Sequence, residues 1–147
     1  MIYENDQDRA NETWVLEFLK PRWELKSYRK LEMPYGVDYA MCKEEARFPS
    51  IWKFAEVKCR PDMTFGQYPE GYFLSLQKVL RAREILYETG KGCPLVVRFK
   101  GDAVYCCGSI FDHLPGSVLA GRWDRPDDPN AIEPHVVYPW EAFRQLK

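Results

Sequence analysis

The chain has 147 residues, of which 46% are hydrophobic, 15% aromatic and 29% charged, with a formal net charge of -1 at pH 7. This length suits one domain with a sizeable core, and the aromatic content excludes a disordered or fibrous chain. No apolar run is long enough to cross a bilayer, and the acidic, polar start does not resemble a secretory signal, so we expect a cytoplasmic protein with no membrane partner.

The cysteines and histidines do not form a metal-binding pattern. Cys42, Cys59 and Cys93 are isolated, Cys106 and Cys107 are adjacent, and neither of the two histidines lies near a cysteine in sequence. We therefore expect reduced thiols and no zinc site.

A first helix is predicted over residues 8–19, with Asn5 or Asp6 as its cap and Pro21 as its end. Apolar residues at helical spacing mark its buried face, and Glu12 borders that face. The segment that follows, residues 20–30, is rich in lysine and arginine, so a local basic surface is expected despite the near-neutral total charge.

Three strands are predicted next. A basic edge strand lies within residues 24–31, and a Pro34-Tyr35-Gly36 turn separates it from a strand over 37–42. A charged connection then leads to an apolar strand over 51–59. The second and third strands are expected to pair as an antiparallel hairpin.

The next segment carries a strong amphipathic stripe, which predicts a long helix over residues 69–89. Pro69 suits the first turn of such a helix, and Gly90 stands where a helix commonly ends.

The remaining residues predict a β-hairpin over 95–106, a surface excursion rich in Pro, Gly and Asp over 114–130, a short strand over 134–138 and a closing helix over 140–146. The order of helix, three strands, helix and two strands predicts an α/β fold with a mixed sheet.

The third strand and the strand before it carry a candidate active site. Glu56 and Lys58 are two residues apart, so their side chains face the same way on a strand, and pairing with the preceding strand would bring Asp38 close. Mg²⁺ usually takes one or two protein carboxylates plus waters and substrate phosphate, which Asp38 and Glu56 could supply. A lysine beside the ion would orient the attacking water and balance charge on the phosphate.

The acid-x-Lys triplet is weak evidence by itself, because one arises by chance about once in a chain of this size. Glu24-Leu25-Lys26 is a second copy. The copy at Glu56 differs because an acid-bearing strand precedes it. The alternative interpretation of Glu56 and Lys58 is a solvated ion pair at an exposed strand end.

The arrangement resembles the PD-(D/E)xK nuclease superfamily, the restriction-endonuclease-like proteins, and within it small stand-alone phage-encoded members. The residues that carry the resemblance are Asn11-Glu12, Gly36-Val37-Asp38, Ala55-Glu56-Val57-Lys58-Cys59-Arg60, Tyr68 and Ser75-Leu76-Gln77-Lys78. Val37 stands where the family usually has a proline. The resemblance implies an αβββαβ core with a mixed central sheet flanked by helices. It also implies a single nuclease-like domain over residues 1–147, with the core at about 8–112 and a C-terminal extension over 113–147.

By this resemblance the protein would be a metal-dependent deoxyribonuclease that hydrolyses DNA phosphodiester bonds with a metal-activated water. Mg²⁺ would be the cofactor and Mn²⁺ a substitute. Asp38, Glu56 and the Val57 carbonyl would hold the metal, with Lys58 as the catalytic lysine and Glu12 as an additional acid. DNA contacts would come from Lys78, Ser75, Arg60 and Tyr68.

Further basic residues would form a rim that faces the phosphates: Lys20, Lys26, Arg29, Lys30, Arg60 and Arg81. A phage-encoded nuclease would act on DNA in the host cytoplasm, and cutting both strands would favour a homodimer. Two alternatives stay open: a catalytically inactive nucleic-acid-binding or assembly protein with the same fold, and a hydrolase that acts on RNA or nucleotides with the same site.

Overall fold

A computed structural model describes residues 6–109, 117–119 and 133–147. Within these ranges the chain forms two α-helices and nine strands: α1 (Asp6–Arg22), β1 (Ser27–Lys30), β2 (Tyr39–Cys42), β3 (Lys53–Arg60), β4 (Tyr72–Ser75), α2 (Leu76–Thr89), β5 (Pro94–Phe99), β6 (Val104–Ser109), β7 (Ser117–Leu119), β8 (His135–Tyr138) and β9 (Arg144–Leu146). Neither helix of these ranges is long and apolar enough to cross a membrane.

The main sheet has six strands in the order β1-β2-β3-β5-β6-β9. β3 and β5 are parallel, and every other pair in this sheet is antiparallel. The parallel pair follows from the crossover through α2, which returns the chain to the same end of the sheet. The predicted mixed sheet and the two predicted hairpins, β2 with β3 and β5 with β6, are confirmed.

Two apolar cores lie on the two faces of this sheet. On one face, α1 buries Val15, Leu16 and Leu19 against strand residues that include Ala55 and Val57. The other core is formed by α2 and by a second, three-stranded sheet in the order β4-β8-β7, packed on strand residues that include Phe54. Because side chains alternate along β3, Glu56 lies on the same face as Phe54, towards α2 and the second sheet.

The predicted helix over residues 69–89 was wrong at its start. Tyr72–Ser75 form β4, which pairs antiparallel with β8, and α2 begins at Leu76. The apolar residues of this segment are therefore buried by a sheet partner more than sixty positions away, which local helical spacing cannot reveal.

The predicted closing helix was also wrong. Trp140–Ala142 make one short 3₁₀ turn, and Arg144–Leu146 form β9, which extends the main sheet beside β6. The predicted excursion over 114–130 was wrong for Ser117–Leu119, which pair with β8, and its other residues lie outside the described ones.

The first helix is longer than predicted. α1 runs from Asp6 to Arg22 and contains Pro21 in its last turn. Pro21 has no N–H to donate to the carbonyl four residues earlier, and the helix ends one residue after it. The guanidinium of Arg22 donates to the carbonyl of Phe18 at 2.7 Å, which helps to close this end. Of the two predicted caps, Asp6 is the first residue of α1, and Asn5 lies outside the described residues.

Candidate active site

The pairing of β2 with β3 brings the predicted acids together. Tyr39 is paired with Ala55, so Asp38, one residue before β2, lies across from Glu56. The Asp38 N–H donates to the carbonyl of Ala55 at 3.2 Å, and the Val57 N–H donates to Asp38 Oδ2 at 2.9 Å. These two hydrogen bonds fix the Asp38 carboxylate at the middle of β3.

Glu56 is fully buried, and neither oxygen of its carboxylate has a hydrogen-bond partner among the described residues. Its Oε1 lies 3.4 Å from Lys58 Nζ and 3.3 Å from Lys78 Nζ. These are ion pairs without good hydrogen-bond geometry. A buried carboxylate in this condition is costly unless it holds a proton or a cation.

Lys78 ties the two acids to α2. Its Nζ lies 3.9 Å from Asp38 Oδ1 and donates to the carbonyl of Gly36 at 3.2 Å. Lys78 is in the first turn of α2, so the start of this helix lies next to Glu56 and Asp38. We call Asp38, Glu56, Lys58 and Lys78 the acid–lysine cluster.

The electrostatics of the cluster separate the two acids. Burial, and then the nearby Asp38, raise the pKa of Glu56 to about 7, although Lys58 and Lys78 oppose this. Burial also acts to raise the pKa of Asp38, but the surrounding lysines and the Val57 N–H outweigh it, so that pKa is lowered. Without a metal, Glu56 is therefore the carboxylate that holds a proton near neutral pH.

The lysine of the predicted triplet stays charged. Burial acts to lower the pKa of Lys58, but Glu56 and Asp38 outweigh it and raise the pKa overall. Lys58 is thus an ammonium that can donate hydrogen bonds at neutral pH.

Glu12 approaches the cluster from α1 through an intermediate. Its Oε1 lies 2.7 Å from Lys30 Nζ, and Lys30 Nζ lies 3.6 Å from Asp38 Oδ1. Sequence reasoning placed Lys30 only in the phosphate-facing rim. The signal that could have found it is the β1–β2 register, in which Lys30 is paired with Tyr39, the neighbour of Asp38.

The other predicted DNA contacts lie around the cluster. Arg60 ends β3, two residues beyond Lys58, and Tyr68 precedes β4. Both line a cavity of about 330 Å³. Ser75 ends β4, directly before the first residue of α2.

Arg81, predicted in the phosphate-facing rim, also contacts two groups of the protein itself. Its guanidinium donates to the carbonyl of Pro34 and pairs with Glu84 at 2.8 Å. It holds the turn before Gly36 against α2, and Asp38 follows Gly36 by two residues.

The donor set of the cluster suits a hard cation. Asp38 and Glu56 supply carboxylate oxygens, and Val57 supplies the carbonyl that the resemblance implies. The described residues contain no group of three or more His, Cys, Asp or Glu side chains that could hold a metal by themselves. Mg²⁺ does not need such a group, because it usually keeps several waters and takes substrate phosphate as a ligand.

Comparison with known proteins identifies a family and a structurally similar protein. Residues 1–146 match the model of a family described as "Phage putative PDDEXK endonuclease". The fold is similar to that of Archaeoglobus fulgidus Hjc, a Holliday junction resolvase, with a TM-score of 0.54 and 9% sequence identity over 93% of this chain and 92% of that chain. No curated protein matches. The structural similarity confirms the predicted fold class.

Proposed function

The chain belongs to the family of phage PD-(D/E)xK endonucleases, and from this premise we propose that it is a metal-dependent deoxyribonuclease acting at the acid–lysine cluster. The observation that carries the proposal is Glu56. Its carboxylate is fully buried without a hydrogen-bond partner among the described residues, and it faces Asp38 across the β2–β3 pair. A fold stabilised only by packing gains nothing from such a group.

Asp38, Glu56 and the Val57 carbonyl would hold Mg²⁺, with Mn²⁺ as a substitute. When bound, the cation would supply activation of the attacking water and stabilisation of the charge that develops on the phosphate. A cation held by Asp38 and Glu56 would also relieve the repulsion between the two carboxylates, since its positive charge would replace the proton that Glu56 otherwise needs.

The lysines act on the substrate side of the cluster. Lys58, kept protonated by the two acids, orients the attacking water and balances charge on the phosphate. Lys78, which donates to the Gly36 carbonyl, would contact an oxygen of the same phosphate. In-line attack then breaks the bond to the 3′ oxygen and leaves a 5′-phosphate and a 3′-hydroxyl.

The position of Asp38 is fixed on two sides. The Val57 N–H holds Oδ2, and Lys30, paired with Glu12, lies near Oδ1. Glu12 is therefore proposed to act through Lys30 as a positioning residue. A carboxylate held in this way keeps its ligand geometry without reorganising during the reaction.

The proposal is tested by DNA cleavage in Mg²⁺, with EDTA as the metal-free control. Asp38→Ala and Lys58→Ala are expected to lower the cleavage rate by about 100-fold or more, because each removes a group that acts on the transition state. Lys91→Ala, which removes the same charge as Lys58→Ala at an exposed site after α2, should cleave normally.

Unchanged Mg²⁺-dependent cleavage by the Asp38 or Lys58 variant would refute the proposal. Salt-sensitive DNA binding without cleavage in any divalent metal would instead favour an inactive nucleic-acid-binding protein.

A further inference from the structure

A cavity lies at the end of β3, next to the acid–lysine cluster. Its volume is about 330 Å³, and its lining includes Cys59, Arg60, Asp62, Gln67, Tyr68 and Tyr72. Arg60 follows Lys58 by two residues on the same face of β3, a distance of roughly 7 Å along a strand. Tyr72, which also lines the cavity, interacts electrostatically with Lys58. A DNA strand with a phosphate at Lys58 would therefore bring a neighbouring nucleotide to this cavity.

The lining combines flat apolar surface with hydrogen-bonding groups. Tyr68 provides a half-buried aromatic ring, and Tyr72 lines the cavity as a core residue only 2% exposed, with a hydroxyl that has no hydrogen-bond partner among the described residues. The Gln67 side-chain oxygen accepts from the Thr64 N–H at 3.0 Å, which orients its amide nitrogen as a donor. A nucleobase is a flat ring with donors and acceptors on its edge, so this lining matches its chemistry.

The wall of the cavity is built before any ligand arrives. Phe65 stacks on Tyr105 with ring centroids 3.8 Å apart. The indole N–H of Trp140 donates to the Tyr68 carbonyl at 2.6 Å, and the Lys100 N–H donates to the Met63 carbonyl at 2.9 Å. The loop between β3 and β4 is thus fastened at three places, which lowers the entropy cost of binding.

We propose that this cavity holds one unstacked nucleobase of the DNA strand being cut, from a nucleotide beside the scissile phosphate. The inference rests on the proposed nuclease function and deepens it. The cavity is at the small end of the roughly 300–1,000 Å³ range of ligand sites, which suits one base and not a stacked duplex. It follows that the preferred substrate has an unpaired nucleotide next to the cleaved bond, because such a base leaves the helix at least cost.

The test places the fluorescent base 2-aminopurine in an otherwise paired duplex, either as a single unpaired nucleotide or within a pair. Binding is measured in the Lys58→Ala background, so that the DNA stays intact. The unpaired probe is expected to change fluorescence on binding and to bind about 5- to 100-fold more weakly to the added variant Tyr68→Ala, which removes a stacking surface. Tyr87→Ala, the same substitution at an exposed position near the end of α2, is the matched control.

A second variant guards against misfolding of Tyr68→Ala. Gln67→Ala changes an exposed loop side chain, and it is expected to weaken binding of the unpaired probe without altering binding of the paired duplex. Equal affinities and equal fluorescence responses for the Tyr68, Gln67 and Tyr87 variants would overturn the inference.

Cleavage is measured separately on the same duplexes, with the parent protein and with its Tyr68→Ala and Gln67→Ala variants that retain Lys58. Cleavage without any dependence on Tyr68 or Gln67 would refute the base site and leave the nuclease proposal standing. A Tyr68-dependent fluorescence change without cleavage would refute the nuclease proposal and leave the base site standing. A protein that neither binds nor cuts these duplexes would overturn both.

Discussion

A fully buried carboxylate normally accepts hydrogen bonds or holds a proton. In Glu56 this requirement is met only in part, because Lys58 and Lys78 lie at ion-pair distance and both oxygens lack hydrogen-bond partners among the described residues. The residue therefore lowers the stability of the metal-free fold, and the proposed cation would relieve this cost. Replacing Glu56 with a neutral residue should therefore raise the stability of the metal-free fold.

Glu56→Gln is expected to stabilise the metal-free protein at pH 8 relative to wild type. The folded-state pKa of Glu56, about 7, is above its ordinary value of 4.5, so the unfavourable charge is absent below pH 4.5 and develops as the pH rises through 7. The gain in unfolding free energy should thus grow across this window, by on the order of 3 kcal/mol. Urea unfolding in EDTA at pH 4.5 and pH 8 measures it, and a pH-independent difference would contradict it.

Lys30 lies between Glu12 and Asp38, so Lys30 and Glu12 are expected to affect the same step. Lys30→Met and Glu12→Gln should each lower the cleavage rate about tenfold, because each breaks the chain of contacts that positions Asp38. The double variant should be no slower than the worse single variant, since both remove one pathway. Fully multiplied losses in kcat/KM would show that the two residues act independently.

The residues of the site were predictable to different degrees. The two-residue period of a strand was enough to place Glu56 beside Lys58, and hairpin pairing placed Asp38 opposite them. The contact of Lys30 with Glu12 depends on how α1 lies against β1, which no local pattern specifies. The proximity of Asp38 and Glu56 was therefore predictable from the sequence, whereas the position of Lys30 between Glu12 and Asp38 was not.

At the scale of elements, the difference between prediction and structure is concentrated where strands are short and their partners distant. Tyr72–Ser75 continue smoothly into α2, so their apolar side chains prolong a helical stripe in sequence. Their actual partner, β8, lies in the C-terminal part of the chain. Elements whose partners follow within a hairpin, such as β2 with β3, were correctly predicted from local signals.

Gly71 lies directly before β4. Its φ is +130°, and an added Cβ would collide with the carbonyl oxygen of Tyr138 in β8. Gly71→Ala should therefore lower the unfolding free energy by about 3 kcal/mol or more, combining backbone strain with displacement of β8.

Gly66→Ala is the matched control for Gly71→Ala. Gly66 also has a positive φ, +81°, but an added Cβ would meet nothing within 4 Å. Its cost should be limited to conformational strain, about 1 kcal/mol. Denaturant unfolding of both variants decides the matter, and equal losses would show that the approach of β8 does not constrain Gly71.

At the scale of the whole molecule, the C-terminal part of the chain contributes to both sheets. β9 pairs with β6 at the edge of the main sheet, and β8 is the central strand of the second sheet. Trp140 between them packs on Phe65 and holds the Tyr68 carbonyl. These contacts support the proposal that residues 1–147 fold as one domain in which the extension completes the core.

Charge is likewise arranged at the scale of the whole molecule. The net charge is only -1, yet three lysines, Lys30, Lys58 and Lys78, meet the acids Glu12, Asp38 and Glu56 within the described part of the chain. A cluster balanced in this way can accept a divalent cation and a phosphate together with little change in total charge. Bulk composition could not indicate it, because the charges lie on four different elements and the turn before β2.

The central claim is that the acid–lysine cluster holds a divalent cation, and calorimetric titration with Mn²⁺ and Mg²⁺ at pH 8 tests it most directly. Wild type and Lys91→Ala are expected to bind the ion saturably, and Asp38→Ala at least about tenfold more weakly, since it loses one of the two proposed carboxylate ligands. Circular dichroism confirms that the variants are folded. Absence of saturable binding to wild type, or equal affinity in Asp38→Ala, would contradict the account.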